Sequence, residues 1–120
     1  MADCCAELVA RCFAVRTAAH YAHLLSKTYA EHVALDEFYT ALLEATDKFA
    51  ECCMGVEGQF KNFPAVPLPT GTPLEILRDL SKWVSEHRTE CAGGETELAN
   101  LIDEILSTID RSYYKLKFLK

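Results

Sequence analysis

The stretch TYAEHVALDEFYTALLEATDKFAECCM, residues 28–54, decides the fold because it predicts one long helix with three distinct faces. No glycine or proline interrupts it, and an α-helix turns about 100° per residue. Side chains within about 60° of Leu35 are mostly apolar and form the stripe expected to face a core. Glu37, Glu44 and Lys48 fall on the opposite side, which is typical of a solvated face. The core stripe consists of Leu35, Phe38, Tyr39, Leu42, Thr46, Phe49 and Cys53.

The third face of this helix mixes ionisable and large apolar residues. Its ionisable residues are His32, Asp36, Asp47 and Glu51. Taken one at a time, each is typical of a solvated surface, but a core rarely holds three carboxylates and a solvated face is rarely so apolar. Together they indicate a second buried surface, at an interface between chains. The apolar residues interleaved with them are Tyr29, Val33, Leu43, Ala50 and Met54.

The spacing of these four side chains brings them to one side of the helix. Asp36 follows His32 by four residues and Glu51 follows Asp47 by four, so each pair shares a face. Asp36 and Asp47 are eleven residues apart, which is about three full turns. Carboxylate oxygen and imidazole nitrogen suit iron, zinc or manganese, and this face carries no thiolate that would select a softer metal.

Three further helices flank this stretch. One is predicted over about residues 4–26, where apolar residues recur with helical period. Thr72-Pro73-Leu74-Glu75 predicts the start of another, because an N-cap threonine, a proline at the first position and a glutamate at the third form a capping box. Gly93-Gly94 is expected to end that helix, and the last one runs from about Glu95 to the C-terminus.

The predicted fold class is all-α: a four-helix bundle in a single domain covering residues 1–120. The second helix is expected to end at Gly55, and about 17 residues then connect it to the third. This connection is longer than the usual loop between two helices. Its length fits a crossover along the bundle, as in ferritin-like folds.

Composition and charge exclude several classes of function. The chain has 120 residues, with 12 Lys and Arg against 18 Asp and Glu, for a net charge of −6. An acidic chain repels phosphate backbones and attracts metal cations, so DNA binding is expected to be weak or absent. No run approaches the ~18 apolar residues of a membrane span, so no membrane association is expected. The N-terminus resembles no secretory signal, which makes the cytoplasm the expected location.

Six cysteines stand at spacings that fit no zinc site, since no C-x-x-C occurs. In a cytosolic chain that forms a core, the favoured interpretation is free thiols packed as small apolar side chains. A disulfide framework and a soft-metal site are the alternatives. The cysteines are Cys4, Cys5, Cys12, Cys52, Cys53 and Cys91.

Five residues, His20, His32, Asp36, Asp47 and Glu51, resemble the ferroxidase signature of the Dps-type mini-ferritins. Their gaps of twelve, four, eleven and four match that family, in which one His ends the first helix and the rest lie on the second. The passage HYAHLLSKTYAEHVALDEFYTALLEATDKFAE is also similar to that family, and the resemblance covers about residues 8–55. Larger ferritins place Glu-x-x-His motifs inside one bundle, and no such motif occurs in this chain.

The resemblance implies an iron-binding ferroxidase that oxidises Fe(II), in this family typically with hydrogen peroxide, and so protects against oxidative damage. Asp47 and Glu51 of one chain would bind the first iron together with His20 of its neighbour. Glu51 would bridge toward a second, weaker iron, which His32 and Asp36 of the neighbour would hold partly through water. The resemblance also implies a homo-oligomer, a dodecameric shell with the site at its two-fold interfaces, in which ferric iron is stored. Zinc is a possible substitute for iron.

Several features depart from the common family pattern. Tyr21 stands where many members have Trp, and the chain is short and starts without a lysine-rich DNA-binding tail. The short acidic form and the ending YYKLKFLK resemble small Dps-like proteins encoded by phages. The alternative function is that of a non-enzymatic ferritin-like structural protein with a vestigial or zinc-occupied site.

We expect no appreciable DNA binding near neutral pH. Twelve copies at −6 each carry about −72, and electrostatic attraction to phosphates drives non-specific affinity. A gel-shift titration at physiological salt measures this directly. Retardation of duplex DNA at sub-micromolar protein would contradict the expectation.

Overall fold

The computed structural model describes residues 2–120, and every regular element in that range is an α-helix. The helices are α1 (Ala2–Leu25), α2 (Tyr29–Glu57), α3 (Pro73–Ala92) and α4 (Thr96–Phe118). This confirms the predicted all-α class and the four helices, which pack as a bundle. None of these helices is both long enough and apolar enough to cross a membrane.

Capping contacts set the ends of the helices. The Thr72 hydroxyl accepts a hydrogen bond from the Glu75 backbone N–H at 3.2 Å, and the Thr72 N–H donates to the Glu75 carboxylate at 2.9 Å. The predicted capping box is therefore confirmed, and these hydrogen bonds lower the pKa of Glu75. Thr28 opens α2 in the same way by accepting from the Glu31 N–H. Gly93 ends α3 as predicted, in the left-handed conformation at φ 58°.

The predicted end of α2 at Gly55 is wrong, because the helix continues to Glu57. A glycine inside a helix costs only about 1 kcal/mol relative to alanine. Cys53, two residues earlier, is fully buried, and that packing holds the last turns in place. Gly58 supplies the stop instead: its φ is 98°, and its N–H donates to the Met54 carbonyl at 2.8 Å. The connection to α3 therefore covers residues 58–72.

Each helix packs against two others. α1 contacts α2 and α3, and α4 contacts α2 and α3. Every contacting pair is antiparallel, so α2 and α3 point in the same direction. The contacts that set these directions are His20–Tyr39 and Cys5–Cys53 for α1 with α2, Glu37–Lys115 and Lys48–Glu104 for α2 with α4, Arg78–Tyr113 and Arg88–Asp103 for α3 with α4, and Cys4–Cys91 and Arg11–Trp83 for α1 with α3.

The predicted core stripe of α2 is buried except at Tyr39, which is half-buried. Leu35, Phe38, Leu42 and Phe49 are each 0% exposed. Thr46, the polar member of the stripe, is also fully buried, and its hydroxyl donates to the Leu42 carbonyl at 2.6 Å. The hydrogen bond removes the cost of burying that hydroxyl, so a threonine fits among large apolar side chains.

Cys4 and Cys91 form a disulfide between α1 and α3, so the free-thiol interpretation is wrong for this pair. The two residues are 87 apart in sequence, and antiparallel packing brings their Cα atoms to 5.1 Å. The other four cysteines are free, with Cys5, Cys12 and Cys53 buried and Cys52 half-buried. Burial raises the pKa of the Cys12 thiol to about 12 and also raises that of Cys5, which keeps both protonated and unreactive.

We expect the disulfide to stabilise the bundle. Replacing Cys4 and Cys91 with Ser should lower the free energy of unfolding of the oxidised protein by about 2–4 kcal/mol, because the cross-link restricts the unfolded chain. Urea unfolding followed by circular dichroism measures the difference, and dithiothreitol should abolish it. Cys52→Ser is the control and should change little. Equal stability of the double variant and the wild type without reductant would contradict the prediction.

Candidate metal centre

The five predicted ligands lie in two groups along the α1–α2 hairpin. His20 stands near the end of α1, and His32 and Asp36 stand in the first turns of α2. Asp47 and Glu51 lie further along α2, and the helical rise puts Asp47 about 16–17 Å from Asp36. Within residues 2–120 of one chain, no three His, Cys, Asp or Glu side chains are grouped closely enough to hold a metal ion. A site built from all five residues therefore requires a second chain.

The carboxylates of this set are exposed. Asp36, Asp47 and Glu51 lie on the surface, and His20 and His32 are half-buried. None of the three carboxylates takes part in an ion pair within the described part of the chain. Their charges are therefore not neutralised by lysine or arginine side chains of the same chain.

Apolar side chains share this surface with the carboxylates. Tyr29 is 82% exposed, and Val33, Leu43 and Met54 are half-buried. The third face of α2 is thus partly exposed, with an apolar component as the sequence indicates, but Ala50 is buried in the core and Met54 packs against the core. Its burial between two chains stays a prediction.

Three histidines and a tyrosine are packed together where α1 ends and α2 begins. The His20 ring stacks on Tyr39, with centroids 4.2 Å apart and planes 17° apart. The His23 ring stacks on His32 at 3.7 Å and 20°. His23 also meets His20 edge to face at 5.9 Å, so His20 and His32 belong to one cluster.

Backbone hydrogen bonds tie two of these histidines together. His23 Nδ1 lies 2.7 Å from the His32 carbonyl oxygen, and His32 Nδ1 lies 3.0 Å from the His23 carbonyl oxygen. The Ser26 hydroxyl in the intervening turn donates to the same His23 carbonyl at 2.7 Å. Two of the five predicted ligands, His20 and His32, are thus brought together with a third histidine.

Tyr39 contacts the rings of His20 and His23, and the Asp36 carboxylate acts on its pKa. Loss of hydration at its half-buried ring raises the pKa of Tyr39, and a hydrogen bond to Asp36 raises it further. The Arg16 guanidinium lies 5.6 Å from the ring centroid, and its Nε is buried with no hydrogen-bond partner. The phenol is therefore neutral at physiological pH.

The sequence pattern predicts no role for His23 and places Tyr39 in the core stripe. The signal for His23 was available, because it follows His20 by three residues and so shares a face with it. Its contact with His32 depends on the short turn at residues 26–28, whose geometry the sequence pattern does not specify. His23 is 9% exposed, the most buried of the three.

Comparison with known proteins gives two matches. A model of the family of unknown function DUF5856 matches residues 23–116, a range that includes four of the five candidate ligands and begins after His20. The chain is also 27% identical over 97 residues to an uncharacterized 14.6 kDa protein from the mobD-ri intergenic region of Enterobacteria phage T4. That alignment covers 81% of this chain and 75% of the phage protein. No solved structure matches the chain.

The phage relative fits the resemblance to phage-encoded proteins seen in the sequence. Neither match names a ferritin or an iron protein. The case for iron chemistry therefore rests on the residues and their placement.

Asp36→Asn should lower the pKa of Tyr39, because it removes the carboxylate charge that disfavours the phenolate. Subtracting the alkaline absorbance titration of Tyr39→Phe from that of the wild type isolates the Tyr39 phenol. The folded pKa is raised above the unfolded value of about 10. The neutral phenol therefore contributes to the stability of the folded protein below the unfolded pKa. That contribution is lost as the pH rises through the folded pKa. An unchanged Tyr39 titration in Asp36→Asn would show that the carboxylate does not act on the phenol.

Proposed function

The chain belongs to DUF5856, a family of unknown function, and we propose that it is a Dps-like mini-ferritin. It oxidises Fe(II) at a site shared between two chains and stores ferric iron in a hollow homo-oligomeric shell. The observation that carries the proposal is the arrangement of His32, Asp36, Asp47 and Glu51 on the outward face of α2. Their spacing makes that face complementary to a second copy of itself.

A two-fold axis across α2 brings the four residues together. Suppose that two α2 helices pack antiparallel and that His32 lies opposite Glu51 of the partner subunit. Asp36 then lies opposite Asp47 of the partner subunit, because both pairs have the same midpoint in the sequence, next to Leu42. The same symmetry creates a second, identical site. Helical rise separates the two by about 22 Å. Each site then holds one histidine and three carboxylates.

The position of His20 supports the same assembly. Through His23 it is packed into one cluster with His32, at the end of the hairpin opposite to Glu51. The histidines therefore come from one protomer and the Asp47–Glu51 pair from its partner. This is the division of ligands that the resemblance to the mini-ferritins implies.

Electrostatics favour metal at such an interface. Three carboxylates without ion pairs repel one another when two chains meet, and a bound cation relieves that repulsion. Three anionic ligands stabilise Fe(III) more than they stabilise Fe(II), so the site favours oxidation. Each of two Fe(II) ions gives one electron to hydrogen peroxide. The O–O bond then breaks, and two protons complete two molecules of water.

Helix directions support the ferritin-like crossover that a shell of this kind uses. α2 and α3 point the same way, so a connection between them has to travel along the bundle. Residues 58–72 extend to at most about 50 Å, enough for a bundle whose longest dimension is 43 Å. We propose that twelve copies close the shell.

Fe(II) oxidation should depend more on Glu51 than on His32. Glu51→Gln should nearly abolish oxidation by peroxide, because the first metal then lies under-neutralised beside the apolar Leu43 and Met54. His32→Ala should slow oxidation only partially, since it removes a neutral ligand of the weaker second metal. Stopped-flow absorbance of the ferric product measures both. Glu44→Gln, on the solvated face of the same helix, is the matched control and should leave the rate unchanged.

Native mass spectrometry of the same samples tests the assembly. All variants are expected to form the wild-type oligomer, because the interface keeps its apolar residues. A monomeric wild type at micromolar concentration would contradict the shared site. Equal oxidation rates in the wild type, Glu51→Gln and His32→Ala would contradict the ferroxidase. An oligomer that binds zinc and oxidises no iron would support the alternative, a ferritin-like structural protein.

A further inference from the structure

The two hydrogen bonds between His23 and His32 fix the protonation of both rings. A carbonyl oxygen only accepts, so each Nδ1 that lies 2.7 or 3.0 Å from one must carry the proton and donate it. In a neutral imidazole only one nitrogen carries a proton. Nε2 of both His23 and His32 is therefore left with a free electron pair.

The two hydrogen bonds between His23 and His32 are reciprocal and join α1 to α2, and we call this pair of bonds the clasp. His23 on α1 donates to the backbone of His32 on α2, and His32 donates back to the backbone of His23. Each hydrogen bond keeps the ring nitrogen and the carbonyl oxygen of the other hydrogen bond within hydrogen-bonding distance. The ring of His23 covers one face of His32 at 3.7 Å, which restricts rotation of the His32 ring.

We propose that His23 is a positioning residue that holds His32 in the Nδ1–H form, with Nε2 free to bind a ligand. Metal-binding histidines commonly donate their second ring nitrogen to a backbone carbonyl, which fixes the tautomer and the ring orientation. His32 makes that contact because the clasp keeps the His23 carbonyl in place. The ligand being iron rests on the proposed function, whereas the tautomer does not.

Two substitutions separate the hydrogen bond from the stacking. His23→Asn keeps an N–H donor close to the position of Nδ1 but removes the ring. His23→Phe keeps an aromatic ring for stacking but has no donor. If the clasp is what positions His32, the Asn variant should retain the wild-type tautomer of His32 and the Phe variant should lose it.

His87 provides an internal reference in every sample. Its Nδ1 lies 2.8 Å from the Trp83 carbonyl and its ring stacks on Trp83 at 3.9 Å. The same two kinds of contact thus occur within α3, outside the clasp. Its tautomer should be Nδ1–H in the wild type and unchanged by any substitution at His23.

The test is a long-range proton–nitrogen NMR correlation of the imidazole rings, recorded on the full-length ¹⁵N-labelled protein at about pH 8, above the pKa of a free histidine. We expect His23 and His32 of the wild type to show the Nδ1–H form. His32 of His23→Phe should shift toward the Nε2–H form that free histidine favours in water. Anaerobic Fe(II) titration of the same samples should show a loss of affinity of about 10- to 100-fold in His23→Phe. His23→Asn should stay close to the wild type.

The outcomes separate this inference from the proposed function. A wild-type His32 in the Nε2–H form overturns the inference, whether or not the variants fold. So does a His23→Phe protein with wild-type circular dichroism whose His32 keeps the Nδ1–H form. A wild type that binds no Fe(II) overturns the proposed function, and the NMR result still decides whether His23 controls the tautomer of His32.

Discussion

The buried stripe of α2 is the constraint on which the rest of the structure depends. Leu35, Phe38, Leu42 and Phe49 are completely enclosed, so α2 cannot rotate about its axis without exposing them. Burial of four such side chains is worth roughly 6–12 kcal/mol, far more than any surface contact of the helix. The carboxylates lie about 100–160° around the helix from Leu35, at the centre of this stripe, and are therefore held outward. The same residues that build the core thus keep the three carboxylates on the exposed side of α2.

The short turn between α1 and α2 adds the histidines to that face. Thr28 caps α2 immediately after the turn, and Ser26 donates back to the His23 carbonyl, so few residues separate the two helices. The three histidine rings therefore lie close together and stack among themselves and on Tyr39. A cluster of this kind depends on close helix packing.

Local signals in the sequence predicted the local structure well. The capping box at Thr72, the stop at Gly93 and the stripe around Leu35 each depend on residues within a turn or two of one another. Where the prediction was wrong, long-range packing decided the outcome. The end of α2 passes Gly55 because Cys53 is anchored in the core, and the Cys4–Cys91 disulfide joins residues that only the tertiary structure brings together.

The candidate site shows the same contrast between local sequence signals and long-range packing. Spacing on one helix identified four of its residues, since helical geometry alone relates them. The sequence pattern does not indicate His23, because its partner His32 lies across a turn. On the proposed function, assembly and metal binding are also coupled. Asp36 and Asp47 of the partner subunit repel each other, and a cation bound between them removes that repulsion. A cation that binds only the paired form stabilises it in proportion to the logarithm of its concentration. Iron would then be both the substrate and an ion that adds to the stability that the apolar residues give the interface.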